Sequence, residues 1–487
     1  MSNKKKQTAT FSRREFLGTM AATTAFTIVP RSVLGGPGYQ APSDMVNVAG
    51  IGIGARGSSV IQSIASPDVP IVRPEGVRYT SFSEQYAGVQ LPPVERAAAA
   101  ATTQERQTVR HANIYALCDV DSNFAAHVFA GYPKAKRFKD FREMIDKEKE
   151  IDAVVIAGPD HTHAVMASHA MKAGKHVFVE KPMCKTIHEA RFLADLAKKT
   201  GLVTQMGNQG HNSEGTRQTV EWIQAGVIGN VREIHMWTGT PSWRQGYHPR
   251  PAGVPVPANL DYDLWLGPAP EKPYHPDVVH FNWRGLWDYG TGAMGDFGAH
   301  IMDAPIWALN LGFPTKIQAT SPAFNDVYLP RSTYVTYEFP ARGNMPPVKA
   351  TWHDGGLKPP RPAGLESNRA LQACHYIGDK GIIMHGTHGA VPELIPRNPD
   401  FKEPAKTLHR PNSVFVDFIE AIKEKRKAAN DFEISAKLTE IMLLANIAVV
   451  SQRIPITLEY DAEKMRITNL PEANDYFHYE YRKGWSL

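Results

Sequence analysis

Met45-Val-Asn-Val-Ala-Gly-Ile-Gly52-Ile-Gly54-Ala-Arg56-Gly57 decides the fold. A short apolar run ends in three glycines spaced Gly-x-Gly-x-x-Gly, and Ser58–Ile64 then places small and apolar residues at helical spacing. The pattern predicts strand, tight turn and helix in direct succession. Glycines there let the backbone approach a pyrophosphate, which rests on the amide groups opening the helix. Such a unit continues with a second strand ending in an acid about 20 residues on. The best match is Ala112–Asp119, whose acid lies 67 positions after Gly52, so residues 66–110 read as an insertion. Asp119 would accept ribose hydroxyls, and its charge repels a 2′-phosphate, which favours NAD. Asp121 is a neighbouring alternative, and Arg56 in the glycine turn leaves NADP open.

The rhythm continues downstream. Ile151–Ala157 is a buried-strand run, followed by Gly158-Pro159-Asp160-His161-Thr162-His163, a helical stretch and Gly174. His176–Val179 is the next strand, and it stops at Glu180-Lys181-Pro182, where proline removes a backbone donor. Strands alternating with helices predict a parallel sheet with crossover connections. A charged pair at the carboxyl end of such a strand lies where these sheets bind ligands. His161 and His163 have no carboxylate or cysteine at ligand spacing beside them, so no metal is expected. Cys118, Cys184 and Cys374 form neither a disulfide framework nor a zinc pattern. A helix over 186–199 and a strand over 202–206 lead into Gly207-Asn208-Gln209-Gly210-His211.

The second half changes character. Residues 215–225 read as helix and 231–240 as strand, and 241–287 are rich in Pro, Trp, Tyr and His. That composition suits long ligand-facing loops rather than packed core. Residues 290–309 read as one helix in which Asp296 and His300, four apart, share a face, with Asp303 close to it. Strands are expected at 317–320, 335–339, 348–352 and 381–384, helices at 412–424 and 434–450, and an extended stretch at 453–458.

The chain has 487 residues, 42% hydrophobic and 21% charged, with a net charge of +5. Removing the six bases and one acid of the first 35 residues from 54 and 49 leaves 48 of each. A neutral body makes no electrostatic case for nucleic acid or an anionic membrane surface. Lys4-Lys5-Lys6, Ser12-Arg13-Arg14-Glu15-Phe16-Leu17 and a short apolar run resemble a twin-arginine export signal. Residues 1–44 are therefore expected to be signal and linker, the location periplasmic, and the mature protein free of an integral membrane segment.

Together, the glycine turn, the strand-end Asp119, Gly-Pro-Asp-His-Thr-His, Glu180-Lys181-Pro182 and the Asp296–His300 pair resemble the Gfo/Idh/MocA oxidoreductases over residues 45–460. The resemblance implies an α/β fold with an N-terminal Rossmann domain, 45–182, and a C-terminal α/β domain, 183–487. The second domain would carry an open, mostly antiparallel sheet, C-terminal helices packing back on the first domain, and homo-oligomers. It also implies that Lys181 is catalytic, that His300 is an acid/base, and that Asp296 is a further polar member of the site. Gly52, Gly54, Arg56, Gly57, Asp119, Pro159, His163, Glu180, Lys181 and Asn208 would hold the cofactor. His211, Trp283, Arg284, Tyr289 and Asp303 are candidates for contacts to a sugar or glycoside.

The expected reaction is hydride transfer between a hydroxyl-bearing ring carbon and tightly bound NAD, with His300 taking the hydroxyl proton. Two rivals stand beside it. One is redox-neutral glycoside hydrolysis by oxidation and elimination. The other is a non-catalytic sugar-binding protein that keeps NAD structurally.

Overall fold

The computed structural model describes residues 45–72 and 109–487. The expected export signal and most of the insertion lie outside the described residues. A six-stranded sheet, all of it parallel, takes the order β3-β2-β1-β4-β5-β6. Its strands are β1 (Asn47–Ile51), β2 (Asn113–Cys118), β3 (Lys136–Phe138), β4 (Ala153–Ile156), β5 (His176–Val179) and β6 (Thr204–Met206). β4 and β6 are buried along their whole length, as strands covered on both faces must be. The helices of this half are α1 (Arg56–Ile64), α2 (Ala126–Gly131), α3 (Phe141–Lys147), α4 (Asp160–Lys172) and α5 (Ile187–Thr200). Thr186 opens α5 with a capping box, its hydroxyl accepting from Glu189 N while the Glu189 carboxylate accepts from Thr186 N. Because β6 belongs to this sheet, the parallel layer runs past residue 182 to Met206.

Where the insertion leaves and returns, the chain is pinned. Ala65 pairs with Arg110 in an antiparallel bridge, Ser66 N donates to Val109 O at 2.7 Å, and His111 N donates to Ile64 O at 2.9 Å.

The second sheet has nine strands in the order β13-β12-β11-β7-β10-β9-β8-β14-β15. They are β7 (Val231–Trp237), β8 (Lys316–Thr320), β9 (Tyr334–Phe339), β10 (Val348–His353), β11 (Cys374–Gly378), β12 (Gly381–His385), β13 (Glu393–Ile395), β14 (Leu458–Asp461) and β15 (Arg466–Ile467). Only β7 and β10 pair in parallel; every other neighbouring pair is antiparallel. β11, with its histidine and terminal glycine, and the short β13 and β15 carry too weak an alternation to be read from sequence.

The remaining helices are α6 (Glu214–Gln224), α7 (Tyr262–Leu266), α8 (Gly292–Ile301), α9 (Asp303–Ala308), α10 (Val414–Glu424) and α11 (Phe432–Ser451). The helix expected over 290–309 is two, parted at Met302. Among the described residues α11 alone is long and apolar enough to cross a membrane. Here 78% of its apolar window is buried, packed on α5, α8 and β8 as a core helix. α10 returns to the first sheet: Val414, Phe418 and Ile419 share one buried cluster with Val48, Ile61 and Phe178.

One expectation is corrected. The aromatic stretch 241–287 packs a small core of its own, in which Leu260, Trp265, Val278, Trp283 and Leu286 are buried with Tyr289 and Tyr328. Its aromatics supply more apolar area than the loops could leave in water.

Candidate active site

The carboxyl ends of β1, β2, β4 and β5 open on a cleft whose empty space, counted out into open solvent, is about 1200 Å³. Gly52, Gly54, Arg56, Asp119, Pro159, His163, Glu180, Lys181, Trp283, Arg284 and Asp296 all lie on its wall. The glycine turn can accept a dinucleotide. Gly52 has φ +72°, and a Cβ there would stand 2.8 Å from Gly158 N. A Cβ on Gly57 would stand 2.3 Å from Gly52 O, so side chains are excluded where a pyrophosphate must approach the amides.

Asp119 sits at the end of β2, as its motif requires. Its carboxylate accepts from Gly54 N at 3.1 Å and Asp121 N at 3.0 Å, which ties it to the glycine turn. Burial outweighs these bonds and raises its pKa to about 6. Asp121 lines the same cleft, but its oxygens are already taken. Against a burial penalty, His280, Phe124 N and Asn259 hold its pKa below the usual range. Its oxygens are thus engaged by the 259–280 loops.

Arg56 reaches across the cleft rather than toward Asp119. Its Nε donates to Glu180 Oε1 at 2.9 Å and its Nη2 to Gln209 Oε1 at 3.4 Å. Glu180 is almost wholly buried, so this pair fixes the strand end that carries Lys181. His163, in the first turn of α4, sets its ring 2.8 Å from both Gly158 O and Pro182 O. It thereby joins the loops after β4 and β5. His161 is turned into the aromatic cluster, with Nε2 at 3.0 Å from Trp265 O, and burial lowers its pKa to about 3.

Lys181 is held from the second domain. Its Nζ donates to Asp296 Oδ1 and to Asp296 O, both at 2.8 Å. Burial alone would push the Asp296 carboxyl up. Lys181 and Arg284, whose Nε lies 3.5 Å away, hold it below the usual carboxylate range. Asp160 braces the same helix by accepting from Thr291 N at 3.0 Å and Thr291 Oγ1 at 2.6 Å.

His300 lies one helical turn beyond Asp296, behind the cleft wall. Its Nδ1 is 2.9 Å from Asn208 Oδ1. The Asn208 amide nitrogen donates to Ala299 O at 2.8 Å and Asp303 Oδ2 at 3.1 Å, which leaves Oδ1 as the acceptor. His300 therefore carries its proton on Nδ1 and its lone pair on Nε2. Burial first, then Lys181, His388 and Arg56, drive its pKa well below the ordinary histidine value. A neutral imidazole with a free Nε2 is a competent base.

The other candidates divide by placement. Trp283 and Arg284 line the cleft, with the guanidinium 4.4 Å from the Trp283 ring centre. His211 and Asp303 are buried and bonded at 2.9 Å, forming a support behind Asn208 and His300 rather than a ligand-facing surface. Asn208 is likewise fully buried and acts on His300, off the cleft wall. Tyr289 is 0% exposed inside the aromatic cluster, where no substrate reaches it.

Sequence reasoning missed His388. It follows β12 and stacks on His300, ring centres 3.8 Å apart at 25°. Nothing in its spacing points to the site, because the sheet brings it there from 88 positions away.

Comparison with known proteins places the fold in a family. The family model described as "Oxidoreductase family, NAD-binding Rossmann fold" matches residues 94–208. The companion model, "Oxidoreductase family, C-terminal alpha/beta domain", matches 221–340 and 364–487. The chain belongs to the Gfo/Idh/MocA oxidoreductase family. A 1-carboxy-3-chloro-3,4-dihydroxycyclo hexa-1,5-diene dehydrogenase of Comamonas testosteroni is 29% identical over 39% of this chain and 49% of its own. A glycosyl hydrolase family 109 protein of Shewanella amazonensis is 30% identical over 33% of this chain and 39% of its own. The chain thus spans about half or less of the length of these curated relatives. The WlbA dehydrogenase of Bordetella pertussis, solved with NADH and UDP-GlcNAcA, has a similar fold. Its TM-score is 0.54 at 13% identity, covering 86% of this chain and 99% of that one.

Proposed function

We propose that this Gfo/Idh/MocA protein transfers hydride between a hydroxyl-bearing ring carbon of a sugar or glycoside and a nicotinamide cofactor that it holds tightly. The observation that carries the reading is Lys181 and Asp296 on the wall of the glycine-turn cleft, with a base-form His300 one helical turn behind them. Bound nicotinamide would supply the hydride acceptor or donor. Lys181 Nζ, steered by Asp296, hydrogen-bonds the reacting hydroxyl oxygen, and His300 Nε2 takes its proton as the C–H bond breaks. Asn208 keeps the proton on Nδ1 so that Nε2 is the atom available, and Asp303 orients Asn208. Trp283 and Arg284 offer an aromatic edge and donors to a polyhydroxylated ring. NAD is favoured over NADP, because Asp119 repels a 2′-phosphate and Arg56 is committed to Glu180. The twin-arginine-like start supports export, which would make a retained cofactor useful.

The glycosyl hydrolase relative supports one second reading, transient oxidation followed by elimination of an aglycone. Both are tested by incubating the purified protein with a glycoside panel while following nicotinamide absorbance and product masses. A keto-sugar with stoichiometric NADH supports the dehydrogenase. Free aglycone without net NADH supports hydrolysis. Binding without either product refutes both.

A further inference from the structure

Asp119 marks the ribose position in the cleft, and the sheet continues outward from it to β3. The purine of a dinucleotide would therefore lie toward the segment after β3, Lys139-Asp140-Phe141, which lines the same cleft. One further aromatic closes that end, and it comes from the last residues of the chain. Trp485 is half-buried on the cleft wall, its ring centre 6.1 Å from that of Phe141 and 4.6 Å from the Arg142 guanidinium carbon.

The tail that carries it is tied down on both sides. Arg482 donates to Gly267 O at 2.9 Å, Asp263 Oδ1 at 2.6 Å and Asp263 O at 2.7 Å, which fastens it to α7. Tyr481 OH donates to Glu189 Oε1 at 2.6 Å, and Lys172 Nζ donates to Leu487 O at 2.5 Å. These bonds hold residues 481–487 from both sides. They place one ring at a set point on the cleft.

We propose that Trp485 forms part of the purine-binding site and that residues 479–487 act as a strap that slows cofactor release. The proposal rests on the cleft being the dinucleotide site. An indole beside a purine stacks irrespective of substituents, with losses on alanine substitution equivalent to roughly 10- to 100-fold in affinity. The strap spans α4, α5 and α7, so it binds the first domain to the aromatic loops on either side of the purine end.

The test uses the full chain freed of bound nucleotide, with NAD⁺ and ADP-ribose as probes. Dissociation constants and release rates are measured for the wild type, Trp485→Ala, Trp485→Phe and Arg482→Ala, with melting temperatures as a folding control. Trp485→Ala is expected to weaken both probes by the same roughly 10- to 100-fold factor, mostly through faster release. Trp485→Phe should keep most of the affinity. Arg482→Ala, which keeps the ring and cuts its tether, should speed release by a smaller factor. Unchanged binding and release in Trp485→Ala and Arg482→Ala, with tight wild-type binding, overturn the strap and leave the cleft's assignment intact. Failure of the wild type to bind either probe overturns both.

Discussion

The two ends of the cleft are built differently. At the Lys181 end, polar groups from both domains fix one another by hydrogen bonds: Arg56 on Glu180, Lys181 on Asp296, Asn208 on His300. At the Asp119 end one carboxylate is bonded to the glycine turn, and the wall sets the apolar Phe141, Met166 and Trp485 beside the polar Asp121, Lys139 and Asp140. The contrast follows from what each end must do. A proton and a hydride move only if donor and acceptor atoms are held within tenths of an ångström. A purine needs only a flat apolar surface and one directional contact at its ribose.

If that contrast is right, substitutions at the two ends separate turnover from binding. The largest effect is expected for Lys181→Met, which should lower kcat by roughly 10²–10⁴ while the NAD⁺ dissociation constant, read by titration, stays nearly constant. Near-normal turnover in this variant would remove Lys181 from the mechanism. His300→Gln should lower kcat by about 10²-fold. In the wild type, the depressed pKa of His300 keeps the base unprotonated, so the acid limb of kcat/KM should fall below pH 6.5 rather than at it. A limb centred on the ordinary histidine value would contradict the burial argument.

At the other end the readout moves to affinity. If Asp119 binds ribose hydroxyls as the carboxylate, its pKa of about 6 in the free protein means that protonation competes below that pH. NAD⁺ affinity measured by calorimetry should be flat above pH 7 and weaken by up to about tenfold per pH unit below 6. Asp119→Asn should bind about tenfold more weakly and lose this pH dependence. The smallest effect is expected for Asp160→Ala, which removes the acceptor of both Thr291 bonds. It should destabilise the fold by about 1–3 kcal/mol in thermal denaturation, with kcat reduced only a few-fold.

The same contrast explains what was legible in the sequence. The glycine turn, Asp119 and Lys181 were readable because each is local, a backbone geometry or a strand end with its own residue pattern. Asp296 and His300 were readable because one helical turn relates them. Arg56–Glu180 and His388 on His300 were not, since those contacts join positions 124 and 88 residues apart through the topology of two sheets. Tyr289 shows the opposite failure. An aromatic in a loop-rich stretch looks available to a ligand, but its neighbours bury it in their own cluster. The antiparallel sheet was legible where strands alternate and lost at β11, whose histidine and terminal glycine break the pattern, and where strands are two or three residues long.

The pinned ends at Ala65 and Arg110 carry a consequence for how such a chain diversifies. A segment that departs and rejoins at one bridged point behaves as a socket. Its occupant can lengthen, shorten or be exchanged while β1, α1 and β2 keep their register, and doubling its length costs only about 0.6 kcal/mol in closure entropy. The socket opens after α1, at the far end of that helix from the glycine turn. New recognition elements could be grafted there without disturbing a single hydrogen bond around Lys181.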